Sequence, residues 1–138
     1  MIKNLSLTAA FVSAVLLLST LAGWAKNYHL DSTKVVPSAM GGIDTNKDKN
    51  GNTVVDLKAE HLARPGMLTP PANAYVVWFQ QQGSDPENEG QLAVGNDLKA
   101  QMKTTTPYHN FDIFITAESD PTTKTPSDLV VMRSKVAE

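Results

Sequence analysis

From Lys26 onward no segment of ten or more residues places its apolar side chains at helical spacing. Short runs alternate apolar with polar residues instead, and only a strand with one buried face satisfies that period. Val55, Leu57 and Ala59 alternate with Val54, Asp56, Lys58 and Glu60, and Phe111, Ile113, Ile115 and Ala117 fall on one face of a second run. The segment Ala74-Tyr75-Val76-Val77-Trp78-Phe79-Gln80 is apolar on both faces, which suits a central strand.

Turn residues divide these runs. Asn50-Gly51 is a hairpin signal because both residues tolerate positive φ, and it predicts a hairpin with arms over 39–44 and 52–61. Pro65, Gly66, Pro70 and Pro71 break the chain before the central strand, and 81–90 (QQGSDPENEG) reads as an acidic loop. Residues 91–95 and 98–103 read as a second hairpin around Asn96-Asp97, 119–126 as a Pro/Thr loop, and 128–136 as the last strand. About seven short strands with regular turn signals and no internal repeat predict an all-β, antiparallel two-sheet sandwich.

The front of the chain has a different character. Lys3 is followed by an uncharged, largely apolar run from Leu5 to Ala22, and Gly23-Trp24-Ala25 offers small residues where a signal peptidase reads. Residues 1–25 are read as an export signal forming a helix, 26–38 as a flexible lead-in and 39–138 as the domain, which places the protein in the periplasm or outside the cell. Retention of the first segment as a membrane anchor is the alternative reading, since about twenty apolar residues can span a bilayer. Membrane contact is then expected through this segment only. Trp24 stands where a lipoprotein signal needs Cys, so lipid acylation there is chemically excluded.

The chain has 138 residues, 12 of them basic and 14 acidic, with no basic cluster. Nucleic acid and anionic lipid are therefore poor partners, because both demand concentrated Lys and Arg. The absence of cysteine removes thiol nucleophiles, thiolate zinc sites and disulfides. One core, held by packing and hydrogen bonds alone, fits this length.

The order of landmarks Tyr75-Val76-Val77-Trp78, acidic loop, Gly90-x-Leu92, short hairpin, Phe111-x-x-Phe114-Ile115-Thr116-Ala117-Glu118 and Pro126-Ser127 before Val130-Val131 resembles the extracytoplasmic C-terminal domain of anti-sigma-K-type factors and its stand-alone exported relatives. The resemblance covers residues 39–136. It implies an immunoglobulin-like sandwich without enzymatic activity, presented outside the cytoplasmic membrane; a protein partner in the envelope is expected. Those regulators also carry a sigma-binding segment and a mid-chain membrane helix, which this sequence does not show, so sigma-factor binding is not implied.

Residues that could carry chemistry are few. Asp44, Asn46, Asp48 and Asn50, followed by Gly51, have the alternate oxygen ligands of a calcium loop. With Asn46, Asp48 and Asn50 at the first three ligand positions, the closing position falls on Leu57 where a bidentate Glu is required, which favours a plain polar turn. His29, His61 and His109 are scattered and show no ligand spacing, and no serine sits in a nucleophile elbow. Asp85, Glu87 and Glu89 read as solvated loop charge. Tyr75, Trp78 and Phe79 read as core, and Tyr108 as the exposed aromatic that could stack on a sugar. No catalytic residue, metal or cofactor is expected; the alternative is a calcium- or carbohydrate-binding module using the 44–51 loop or exposed aromatics.

Overall fold

The computed structural model describes residues 25–138. The export segment read over residues 1–25 therefore lies, apart from Ala25, outside the described residues. Eight strands follow in chain order: β1 (Lys26–Ser32), β2 (Met40–Lys47), β3 (Thr53–Glu60), β4 (Ala74–Gln80), β5 (Glu87–Leu92), β6 (Ala100–Thr106), β7 (Asn110–Glu118) and β8 (Val130–Ala137). All pairings are antiparallel, in one hydrogen-bonded order β5-β4-β7-β8-β1-β2-β3-β6. The two ends of that order approach each other, so the sheet is nearly closed. A Cβ built on Gly90 of β5 would stand only 3.7 Å from Met102 Cε of β6.

The β2–β3 hairpin forms, with Met40 opposite Glu60 and Lys47 opposite Thr53, but β2 runs through Lys47, past the arm expected to end at 44. Gly51 adopts φ 81°, the left-handed region that favours glycine. Asp48 holds the turn, its Oδ1 accepting from the backbone N–H groups of Asn50 (2.8 Å) and Asn52 (2.9 Å). Close packing fixes another glycine, because a Cβ on Gly41 would lie 2.6 Å from the Lys58 carbonyl oxygen.

Three expectations are corrected. Residues 26–38 are not a loose lead-in: β1 lies inside the sheet, and Leu30, Val36 and Ala39 are buried in the core. Its first part, Lys26 to Leu30, pairs with β2, and Asp31 and Ser32 pair with β8, so this short strand joins the two halves. The acidic loop is shorter than expected, since β5 already begins at Glu87. Residues 91–103 do not form a hairpin ladder. The turn around Asn96 exists, with Gly95 N–H donating to Lys99 O at 2.9 Å, but it leads from β5 at one end of the order to β6 at the other.

One core fills the curl. Leu30, Ile43, Val55 and Leu57 from one half meet Tyr75, Val77, Phe79, Ile113, Ile115 and Val136 from the other. Burying such side chains contributes roughly 1.5–3 kcal/mol each. β4 is buried on both faces, with Val76 and Trp78 at 0% exposure on the side away from that cluster. The loop after β7 is tied down on this outer side. Asn88 Nδ2 donates to the carbonyls of Pro121 (3.0 Å) and Thr123 (2.8 Å), and the Ser127 N–H donates to Glu118 Oε2 (2.8 Å).

Candidate functional site

Because Phe111, Ile113 and Ile115 point into the core, Asp112 and Phe114 between them must face outward. The register then sets two rows of side chains across the outer face of β4, β7, β8 and β1. Trp78 pairs with Phe114, Phe114 with Arg133, and Arg133 with Asp31; two residues along, Gln80 pairs with Asp112 and Asp112 with Lys135. A groove of about 480 Å³ opens over these rows, bounded also by Val130 and Ser134.

Phe114 is the floor of this groove. Its ring lies nearly parallel to that of Trp78, 14° between planes and 6.3 Å between centroids, so a buried indole backs a half-exposed phenyl. Around it stand two cations and two carboxylates. Among the described residues Arg133, Lys135 and Asp112 take part in no ion pair, and Asp31 meets only His29 Nε2 at 3.5 Å. A second depression of about 260 Å³ shares Gln80, Asp112 and Lys135 with the first and adds Gln82, Asn110 and Phe111. Together they form one furrow along β7.

The hairpin tip looks different. Asp48 uses its carboxylate on the turn itself, Oδ2 also accepting from Asn52 Nδ2 at 3.2 Å. These bonds hold its carboxyl below the usual range, the Asn52 N–H contributing most and partial burial opposing it. Asp44 and Asn46 sit back on β2, and Asn50 lies within the turn, its N–H spent on Asp48 Oδ1. Among the described residues no three His, Asp or Glu side chains gather as a metal site.

No protein-family model and no curated protein matches this chain.

Two further polar clusters lie elsewhere on the surface. His109 Nδ1 lies 2.6 Å from Lys47 Nζ, 3.0 Å from Glu138 Oε2 and 3.4 Å from Thr53 Oγ1. A hydroxyl, an imidazole and a carboxylate together suggest nucleophilic catalysis, but a triad needs base and orienting acid on opposite ring nitrogens. Here all three partners crowd one nitrogen, and Thr53 Oγ1 bonds Glu138 Oε1 directly at 3.1 Å. Burial pushes the Glu138 carboxyl up, yet hydrogen bonds from Lys47 and Thr53 and the neighbouring charges hold it below its ordinary value. The cluster joins Lys47, at the end of β2, to the residue after β8.

Beside the β5–β6 approach, the Tyr108 hydroxyl donates to Glu87 Oε1 at 2.6 Å. Tyr108 is half-buried, not the free aromatic expected of it, and its hydroxyl is raised first by that bond. Burial, and then the charge of Glu87, pushes the nearby Glu89 carboxyl up. Tyr75, Trp78 and Phe79 are buried, as their strand position predicts. Phe114 is the residue that sequence reasoning passed over. Its signal was parity, since it is the one aromatic on β7 that breaks the inward series of Phe111, Ile113 and Ile115.

Proposed function

We propose that this chain is an exported, non-catalytic binding or sensory module of the bacterial cell envelope, with the outer-face groove as its recognition surface. The observation that carries the reading is the groove itself. An aromatic floor and charged side chains, three of them in no ion pair among the described residues, are held on the rungs of a paired sheet, where backbone hydrogen bonds fix their spacing before any partner arrives. Preorganised concave sites of this kind bind with little ordering cost.

The fold reading is part of the proposal. We take the nearly closed order as an immunoglobulin-like sandwich whose β5-β4-β7-β8 layer faces the β2-β3-β6 layer, with β1 contributing to both. Support comes from the divided pairing of β1 and from the single core drawing on both halves. The order of landmarks shared with anti-sigma-K extracytoplasmic domains supports a non-enzymatic envelope role, and the apolar run ending in Gly23-Trp24-Ala25 supports export.

Two measurements test this. Cell fractionation with N-terminal sequencing should recover, outside the cytoplasm, a protein beginning near Lys26; a cytoplasmic protein with its first 25 residues intact would sink the export reading. A photo-crosslinking amino acid at Lys135, inside the groove, should capture an envelope component in living cells, whereas the same probe at Lys49 on the hairpin tip should not. Equal capture at both positions, or none, would count against the groove.

A further inference from the structure

We infer that the furrow over β7 is a site for an uncharged oligosaccharide, an inference that rests on the groove being the recognition surface. A sugar ring has one face of C–H groups and a rim of hydroxyls that both donate and accept. A site for it needs an apolar plate and polar groups of both kinds around the edge.

Phe114 supplies the plate, and the Trp78 ring stacked behind it at 6.3 Å leaves it little freedom to rotate away. Acceptors and donors then alternate along the rows. Asp31 and Asp112 accept and Arg133 and Lys135 donate; the amides of Gln80, Gln82 and Asn110 can do both, with one Gln80 N–H already given to the Ser84 carbonyl and Asn110 Oδ1 already accepting from the Glu138 N–H. The two carboxylates offset the two cations, so an anionic or cationic ligand gains no net attraction from the lining. A neutral ligand with many hydroxyls can use every one of these groups.

The shape adds length to the chemistry. The depressions share Gln80, Asp112 and Lys135, and the second continues to Asn110. At the strand rise of about 3.4 Å per residue, Asn110 to Phe114 spans about 14 Å, which accommodates more than one ring. Phe114 marks the stacking position at one end, and the amide side chains of Gln82 and Asn110 line the other.

The test is isothermal titration of the purified protein with cellotetraose, maltotetraose, mannotetraose and chitotetraose, with tetragalacturonate as the charged comparison. Saturable binding of at least one neutral tetrasaccharide is expected, with weaker or no binding of tetragalacturonate. Phe114→Ala and Asp112→Ala should each weaken binding about tenfold or more. Phe114→Tyr, which keeps the ring, should retain it, and Lys49→Ala should leave it unchanged. Near-ultraviolet circular dichroism from Trp78 checks that each variant is folded. Absence of binding by every neutral tetrasaccharide at about 10 mM, preference for the charged one, or affinity undiminished in both alanine variants would overturn the inference. If the Lys135 probe captures a protein while no tetrasaccharide binds, the glycan assignment falls and the binding-module reading stands; if that probe also captures nothing, both fall.

Discussion

Trp78 Nε1 donates to Thr116 Oγ1 across 2.8 Å, and the same hydroxyl donates onward to Glu118 Oε2. Indole, hydroxyl and carboxylate thus form a buried relay on the outer face of β4 and β7, and Glu118 extends it to the Ser127 N–H at 2.8 Å. The relay clamps the loop after β7 over one end of the face that also holds Phe114. Each member is buried, so each needs its partner.

Replacing Thr116 by Val keeps the shape but removes an acceptor from Trp78 and a donor from Glu118. The expected loss is about 1–3 kcal/mol, the cost of leaving a buried polar group unpaired. Urea unfolding followed by tryptophan fluorescence measures it; an unchanged midpoint would show that the relay contributes nothing to stability.

Gly41 and Gly42 are neighbours in β2 with opposite tolerance. A Cβ on Gly41 meets the Lys58 carbonyl oxygen at 2.6 Å and Leu30 Cδ2 at 3.0 Å, whereas one on Gly42 meets only the Tyr28 carbonyl oxygen at 3.5 Å. Gly41→Ala should destabilise by about 1–3 kcal/mol through overpacking, and Gly42→Ala should do little. Thermal unfolding of the pair decides the matter, and equal melting temperatures would contradict the packing argument.

Tyr75 is fully buried, donates to the Ala63 carbonyl at 2.5 Å, and burial pushes its hydroxyl up from 10.0 to about 12. The folded state holds the phenolic proton more tightly than the unfolded chain. Its contribution to stability is therefore complete below pH 10 and is lost as pH rises toward 12. Tyr75→Phe should flatten this alkaline limb, measured as denaturation midpoint against pH. A limb of unchanged slope would assign it to another group.

Glu89 follows the same sign at lower pH. Burial first, and the charge of Glu87 second, raise its carboxyl above 4.5, so folding favours the protonated form and stability falls as pH climbs through that raised value. Glu89→Gln should raise the melting temperature at pH 7 and leave it nearly unchanged at pH 4. A lower melting temperature at pH 7 would show that the charged carboxylate has a stabilising partner.

Asp48 carries the opposite sign. Its carboxyl is held below 3.8, mainly by the Asn52 N–H, so its contribution is present above that value and lost on acidification. Asp48→Ala should lower the melting temperature at pH 7 but not at pH 2. Because its oxygens are engaged in the turn, millimolar calcium should leave the wild-type melting temperature unmoved; a calcium-dependent rise lost in Asp48→Ala would restore the calcium-loop reading.

Local patterns were legible wherever one rule decided the outcome. The alternation over 54–60 placed β3, Asn-Gly placed its turn, and the unbroken apolar run marked β4 as a strand flanked on both sides, with Tyr75, Trp78 and Phe79 buried. Residues 26–32 escaped because only Leu30 of that strand is buried, which leaves no period to read. The 91–103 segment misled for a different reason. Its turn is real, but a turn does not say whether the strands it separates pair with each other or with others.

The groove shows the same division. That Phe114 lies opposite Phe111, Ile113 and Ile115 follows from strand parity, a property of every extended chain. That it stands between Trp78 and Arg133, with Asp31 from the start of the domain completing the row, depends on register and strand order. By itself the sequence determined an all-β chain, a strand buried on both faces and its first hairpin, because these rest on side-chain period and φ preference within a few residues. Only the tertiary structure decided the nearly closed order, the bridging place of β1 and the row of side chains over β7. Each of those depends on pairings between segments as much as a hundred residues apart, such as Asp31 with Arg133, and no local rule encodes them.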